Sequence, residues 1–153
     1  MADACQIVGH PGSGRAAVNV LTIGRRGRSP RPVLLATARW LGVVLTAAMG
    51  LIHVWLWFQG YREIPVIGAL FMINAVCSAA LVAALLAAPA RLRRATAALA
   101  AFFTAGTLAG LIVSLTIGLF GVHESFHAPL VPTTLIVESA GALVLGLTAL
   151  LAG

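Results

Sequence analysis

Four long runs of residues, almost free of charge, constrain this chain more than anything else in it: Trp40 to Phe58, Ile64 to Ala88, about Ala95 to Phe120, and Leu130 to Gly153. The shortest, nineteen residues from Trp40 to Phe58, makes about 28 Å of helix, close to the roughly 30 Å hydrocarbon core of a bilayer. Lipid offers backbone N–H and C=O groups no partner, so a run of this kind must satisfy them within its own helix. The chain is 60% hydrophobic and only 9% charged over 153 residues, whereas soluble domains average about 45–50% and 25%. A single core of this size cannot hide so much apolar surface. The expected fold class is all-α, an integral membrane four-helix bundle with up-down-up-down topology and short connections.

The placement of charge orients that bundle. All ten basic residues are arginines and the net charge is +6, which in a soluble domain would suggest nucleic acid. Here Arg15, Arg25, Arg26, Arg28, Arg31 and Arg39 precede or open the first run, and Arg91, Arg93 and Arg94 fill the break after Pro89. Only Arg62 lies on the other side, next to Glu63. Arginines gathered on alternate connections mark the cytoplasmic side, so the chain is expected in the cytoplasmic membrane as a multi-pass protein with both termini inside. Nucleic acid is not an expected partner, since no aromatic residues interleave the basic stretch. Trp55, Trp57, Phe58 and Tyr61 gather at the outer end of the first run and Trp40 marks its inner end, as interfacial aromatic belts do.

Residues 1–32 are rich in Gly, Pro, Ser and Arg with no apolar periodicity, the pattern of a disordered cytoplasmic arm. Residues 33–153 then form the four-helix domain. The Lys-free, Arg-rich composition also admits a later start near Val33, which the intact mass of the native protein would reveal. Arg25 and Arg26 before an apolar run resemble a twin-arginine secretion signal. A signal's apolar segment spans about 7–15 residues, however, and this run is longer, so the first helix is expected to stay in the membrane. Pro65 and Pro132 fall where the second and fourth helices should start, in the first turn where a missing N–H costs nothing. The two hairpins thus share a plan, but few residues match between them.

Small residues predict the packing seams, because helices in lipid associate by close approach. Gly106, Gly110, Ser114 and Gly118 repeat every four residues in the third helix and read as its helix-packing stripe, with a homodimer interface as the alternative. In the first helix Gly42, Thr46, Gly50 and His53 share one face, and in the fourth Thr134, Glu138, Ala142 and Ala149 do so. His53 and Glu138 should therefore point into the bundle.

An ionisable group at membrane depth calls for a partner or a role. His53, Asn74 and Glu138 lie within about 7 to 15 Å of the outer helix ends, counting 1.5 Å per residue, and form the expected intramembrane polar cluster. Burial and pairing pull their protonation in opposite directions and leave their charge states open. Above them Gln59, Tyr61, Arg62, Glu63, His123, Glu124 and His127 make a polar mouth over the buried carboxyl, with Tyr61, Arg62 and Glu63 the outer-loop candidates for a site. The competing reading is that loops in water are polar and Arg62 with Glu63 is a solvated pair.

His123 to His127 spell HExxH, which on a helix places two imidazoles one turn apart for zinc and a glutamate as general base. Gly121 and Pro129 leave scarcely two helical turns around it, and no further histidine follows at the spacing of the extended zinc-protease motif. A third ligand would have to be Glu138 or His53. Zinc on His123 and His127 is thus an alternative, and the leading expectation is no cofactor and no catalytic residues. Cys5 and Cys77 have neither the spacing nor the context of a disulfide or zinc site.

The stretch HVWLWFQGYREIPVIGALFMINAV, His53 to Val76, with GLFGVHE, Gly118 to Glu124, resembles a set of small four-helix membrane proteins of actinobacteria with no established activity. The shared features are the helix-one histidine, the GYR turn, the IPxIG opening and an aliphatic run containing Asn. The resemblance implies the four-helix topology and directs attention to His53, Tyr61, Arg62, Pro65 and Gly68; it implies no activity and does not extend to His127. The functional expectation is a non-enzymatic membrane component or accessory subunit, with the lipid bilayer as its surroundings, a membrane complex or second copy as partner, and an outer-facing polar cluster. The competing functions are a proton-coupled transporter or small-ligand carrier using Glu138 and His53, and a metal-binding protein or hydrolase using the HExxH.

Overall fold

The computed structural model describes residues 30–152, with side chains from Val33 onward. The chain is all-helical: α1 spans Pro30–Phe58, α2 Ile67–Ala87, α3 Arg93–Thr116 and α4 Val131–Leu151, with single 3₁₀ turns at Tyr61–Glu63 and Ala90–Leu92. Among the described residues there is no strand, only an isolated bridge between Leu119 and Val122. Four segments, Val33–Phe58, Ile67–Ala87, Ala90–Thr116 and Val131–Leu151, are long and apolar enough to cross a membrane. Trp40, Leu51, Phe102, Ile136 and Leu143 are all more than 60% exposed, surface that suits lipid and not water. The expected arm lies outside the described residues except for its last three, which open α1; Pro30 and Pro32 fit there because a first turn has no use for their N–H.

The buried faces share one rhythm. In α4 they run Val131, Thr134, Glu138, Gly141, Leu145 and Thr148, alternating steps of three and four. In α2 they run Ile67, Asn74 and Leu81, with Ala75, Ser78 and Leu85 beside them; in α1 Thr46, Met49, His53 and Leu56 follow the same alternation. A seven-residue repeat keeps the seam on one side of a helix and sets neighbours at a shallow left-handed crossing. Helix α4 packs extensively on both α1 and α3, and α1 on α2, whereas α2 and α3 scarcely meet. That missing contact leaves a cleft.

The two ends of the bundle are built differently. At the end that carries Arg39 and Arg91 to Arg94, the helices close on Val43, Leu81, Leu85, Ala97, Ala100, Leu145 and Ala149. Arg39 fastens this arginine end: its Nε donates to the Leu85 carbonyl (2.9 Å) and its Nη2 to that of Leu86 (2.7 Å), supplying partners for carbonyls that the last turn of α2 leaves free.

At the opposite, loop end, α1 turns through Tyr61–Glu63 into α2. Pro65 lies outside α2, contrary to expectation. The Ile67 N–H reaches back to its carbonyl (2.8 Å), a tight three-residue turn centred on Val66 at φ 69°, and the helix begins only after it. The turn packs so closely that a Cβ on Gly68 would lie 2.8 Å from the backbone of Arg62. Helix α4 also begins after a left-handed residue, Leu130 at φ 66°, but here the proline, Pro132, sits in the first turn as expected. Helix α3 stops short of Phe120. The Val113 carbonyl accepts the N–H groups of both Ile117 and Gly118 at 3.0 Å, and Gly118 turns left-handed at φ 85°, a helix ending that favours glycine.

Candidate functional site: a polar cleft between the second and third helices

The cleft has a volume of about 460 Å³ and is lined from all four helices and both loop-end connections. Its floor holds the three intramembrane polar residues expected to cluster. His53 and Asn74 are 9% and 5% exposed and Glu138 1%, and all three line the cavity. His53 lies about one and a half turns, and Asn74 and Glu138 about two turns, from the loop end of their helices, so they share a level.

Each polar group is positioned by its own helix. The His53 Nδ1 lies 2.9 Å from the Met49 carbonyl; a carbonyl can only accept, so Nδ1 carries the proton. The other ring nitrogen, Nε2, then faces Glu138 Oε1 at 4.0 Å. At that separation the two are not hydrogen-bonded, and a proton on either the imidazole or the carboxyl would draw them together. Phe71 lies against the imidazole, tilted at 54° with the centroids 5.0 Å apart. Ser78 donates to Asn74 Oδ1 at 3.2 Å, which leaves the amide nitrogen of Asn74 as the part of that side chain able to donate. Glu138 Oε2 is buried with no hydrogen-bond partner among the described residues, because the hydroxyl of Thr107, the side-chain donor beside Glu138, is directed to the Thr104 carbonyl at 2.8 Å. Leaving such an atom unpaired costs about 1–3 kcal/mol.

The loop end is tied across the mouth of the cleft. Tyr61 donates its hydroxyl to Glu124 Oε1 at 2.6 Å and stacks on Phe71 at 4.8 Å, joining the α1–α2 turn to the α3–α4 loop. Burial first, then the hydrogen bond and charge of Glu124, raise the Tyr61 phenol well above its ordinary range. Ser114 anchors the same loop: its hydroxyl donates to the Val122 carbonyl (3.3 Å) and its own carbonyl accepts the Glu124 N–H (3.1 Å).

The stripe of small residues, the HExxH and the Arg62–Glu63 pair each have a definite place in the structure. Gly106 and Gly110, contrary to the expected seam, face open space. A Cβ on Gly106 would meet nothing within 4 Å and one on Gly110 only Leu119 at 4.0 Å. Gly106 faces away from the buried positions Ala97, Ala100, Thr104 and Ser114, and since steps of four advance about 40° each around a helix, the stripe reaches the contact face only at its Ser114 end. Gly106, Gly110 and Ser114 line the cleft instead, and Gly118 ends the helix against the ring of His123.

The HExxH is likewise not on a helix: residues 123–125 are irregular and 126–127 form a turn. Glu124 is held by Tyr61, both histidines are exposed, and among the described residues no three His, Cys, Asp or Glu side chains are grouped to hold a metal. Arg62 and Glu63 pair with each other at 3.7 Å with most of the Glu63 side chain in the open, and Arg62 also lies 6.0 Å over the ring of Trp57; neither lines the cleft.

Sequence reasoning missed the Tyr61–Glu124 bond. Glu124 had been given a role in metal chemistry, and nothing in sixty-odd intervening residues signals that the two loops meet. Comparison with known family models, with curated proteins and with solved structures gives no match at all.

Proposed function

We propose that this chain is a multi-pass protein of the cytoplasmic membrane whose work is non-enzymatic: it holds a small molecule in the cleft between α2 and α3. The topology in this reading is up-down-up-down with both termini cytoplasmic. Supporting it are Arg39 and Arg91 to Arg94 together at one end, and the α1–α2 and α3–α4 connections bonded to each other at the opposite one. Kinship with the actinobacterial four-helix proteins belongs to the same proposal and rests on the His53 to Val76 and Gly118 to Glu124 motifs alone.

The observation that carries the reading is Glu138. A carboxyl 1% exposed, with one oxygen unpartnered and a cavity of about 460 Å³ beside it, is expensive to keep in a membrane. Bound ligand would give that oxygen its partner, and the cavity lies within the usual size range of small-molecule sites. The test is to purify wild type and Glu138→Leu in mild detergent and identify co-purifying compounds by mass spectrometry. Wild type should retain one class of small molecule at near one per chain, and the variant should lose it. Wild type that retains nothing, or a variant that retains the same compound, refutes the reading.

A second reading, a proton-coupled carrier, is favoured by the 4.0 Å approach of His53 Nε2 to Glu138 Oε1, two neighbouring groups that can each take up a proton. It requires that flux of the retained compound across proteoliposomes respond to a pH gradient, and that Glu138→Gln abolish the response.

A further inference from the structure

The unfilled hydrogen-bonding positions of the cleft specify what kind of head group belongs there, an inference that rests on the ligand-binding reading above. Among the described residues the cavity presents one buried acceptor without a donor, Glu138 Oε2. It also presents the Asn74 amide, whose oxygen already accepts from Ser78 and whose nitrogen therefore offers a ligand only donors. No arginine lines it, so a phosphate or carboxylate head would meet Glu138 with nothing to neutralise it. An ammonium head has only donors and would leave the Asn74 N–H groups facing their own kind. A quinone or ester has only acceptors and would leave Glu138 Oε2 unsatisfied unless the carboxyl gave up its proton toward it. A hydroxyl both donates and accepts through one atom, and satisfies both positions together.

The route in is also specified. Because α2 and α3 scarcely meet, the cleft is open sideways, between helices whose outward faces are apolar. Leu70 and Ile73 on one side and Leu99 and Phe102 on the other line the cavity and are at the same time 40% to 80% exposed. In a membrane these residues touch acyl chains. At the loop end, Tyr61 bonded to Glu124 lies across the mouth. A ligand reaching Glu138 therefore comes through the lipid, not through water, and must be soluble there.

We infer that the cleft binds a neutral membrane alcohol: its hydroxyl sits between Glu138 and Asn74, and its hydrocarbon chain passes out between Ile73 and Phe102 into the bilayer. The probe is 1-dodecanol carrying a mid-chain diazirine, photoactivated with the full-length protein in phosphatidylcholine nanodiscs. Competitors are unlabelled 1-dodecanol, its methyl ether and dodecylamine. Labelling is expected on α2 and α3 at the rim residues, with 1-dodecanol displacing the probe at about tenfold lower concentration than the ether or the amine, the effect of one satisfied buried hydrogen bond.

Asn74→Leu should remove that preference. Gly106→Leu, which puts a side chain into open space at the cleft wall and leaves the helix seams alone, should remove the labelling while unfolding like wild type. Equal potency of alcohol, ether and amine would overturn the alcohol assignment; co-purification of some other compound that Gly106→Leu abolishes would then show that the site itself stands. No labelling of the cleft together with no retained compound would sink both. A dimer in nanodiscs that Gly106→Leu splits would assign the cleft to a second copy and overturn the inference.

Discussion

The two ends of this bundle use the same helices for opposite purposes. At the arginine end small and aliphatic side chains close the space completely, with Ala100 and Leu145 at 0% exposure, and Arg39 ties α1 to the last carbonyls of α2. At the loop end α2 and α3 separate, a cavity opens, and the floor is polar with one oxygen left without a partner. The helix pair α1 and α4 runs through both. The contrast shows that the polar residues are not needed to hold the helices together, because the closed half is built without them. A bundle that wanted only stability would have continued the closed half upward.

That difference can be attacked directly. The largest expected effect is at the closed end. Leu145→Ala opens a void where the Gly42 backbone and the Leu145 side chain already approach so closely that a Cβ on Gly42 would lie 2.6 Å from Cδ2. Loss of about 2–5 kcal/mol is expected, read as a fall in the midpoint of unfolding in mixed detergent micelles. A loss below about 1 kcal/mol would mean that this end is not the structural half.

Tyr61→Phe comes next. It removes the bond to Glu124 and leaves the stacking on Phe71, so about 1 kcal/mol should go, with faster hydrogen exchange confined to residues 117–130. The raised phenol pKa gives the pH dependence its sign. The bond contributes in full below the phenol's unfolded value of about 10 and is lost as pH rises above it toward the folded value, so wild type and Tyr61→Phe should converge in stability only in strongly alkaline solution.

Smaller still is Gly106→Leu, expected within about 0.5 kcal/mol of wild type, since its Cβ meets nothing. A loss as large as that of Leu145→Ala would restore the four-residue stripe as a packing seam. Least of all is Arg62→Ala, whose exposed pairing with Glu63 at 3.7 Å should contribute almost nothing.

Much of this was legible in advance. Long uncharged runs determine helices in lipid because the backbone has no other way to pair, and a carboxyl or imidazole in such a run calls for protein around it, so helical spacing gives His53 and Glu138 an inward face and Asn74 a depth. What failed depended on neighbours that a linear reading cannot see. The glycines at 106 and 110 looked like a seam because small residues usually mark close approach, yet whether a neighbour fills the space depends on α2, which turns away. The HExxH spelled a metal motif, yet the motif needs a helix, and Gly118 and Gly121 at positive φ end the helix before it. Pro65 stood where a helix could start, yet the tight turn at Val66 delays it. In each case the residue type was right for a local structure that the surrounding chain does not build.

In the proposed role Glu138 is held in the open half for a ligand, at a cost to the fold. The most direct test is the unfolding midpoint of Glu138→Leu against wild type, both stripped of bound compounds by extended detergent washing. Leucine fills a similar volume and removes a buried oxygen that has no partner, so the midpoint should rise, by the equivalent of about 1–3 kcal/mol. A midpoint that falls as far as that of Leu145→Ala would contradict the claim, because it would make the carboxyl a structural partner of His53 and the cleft an incidental gap.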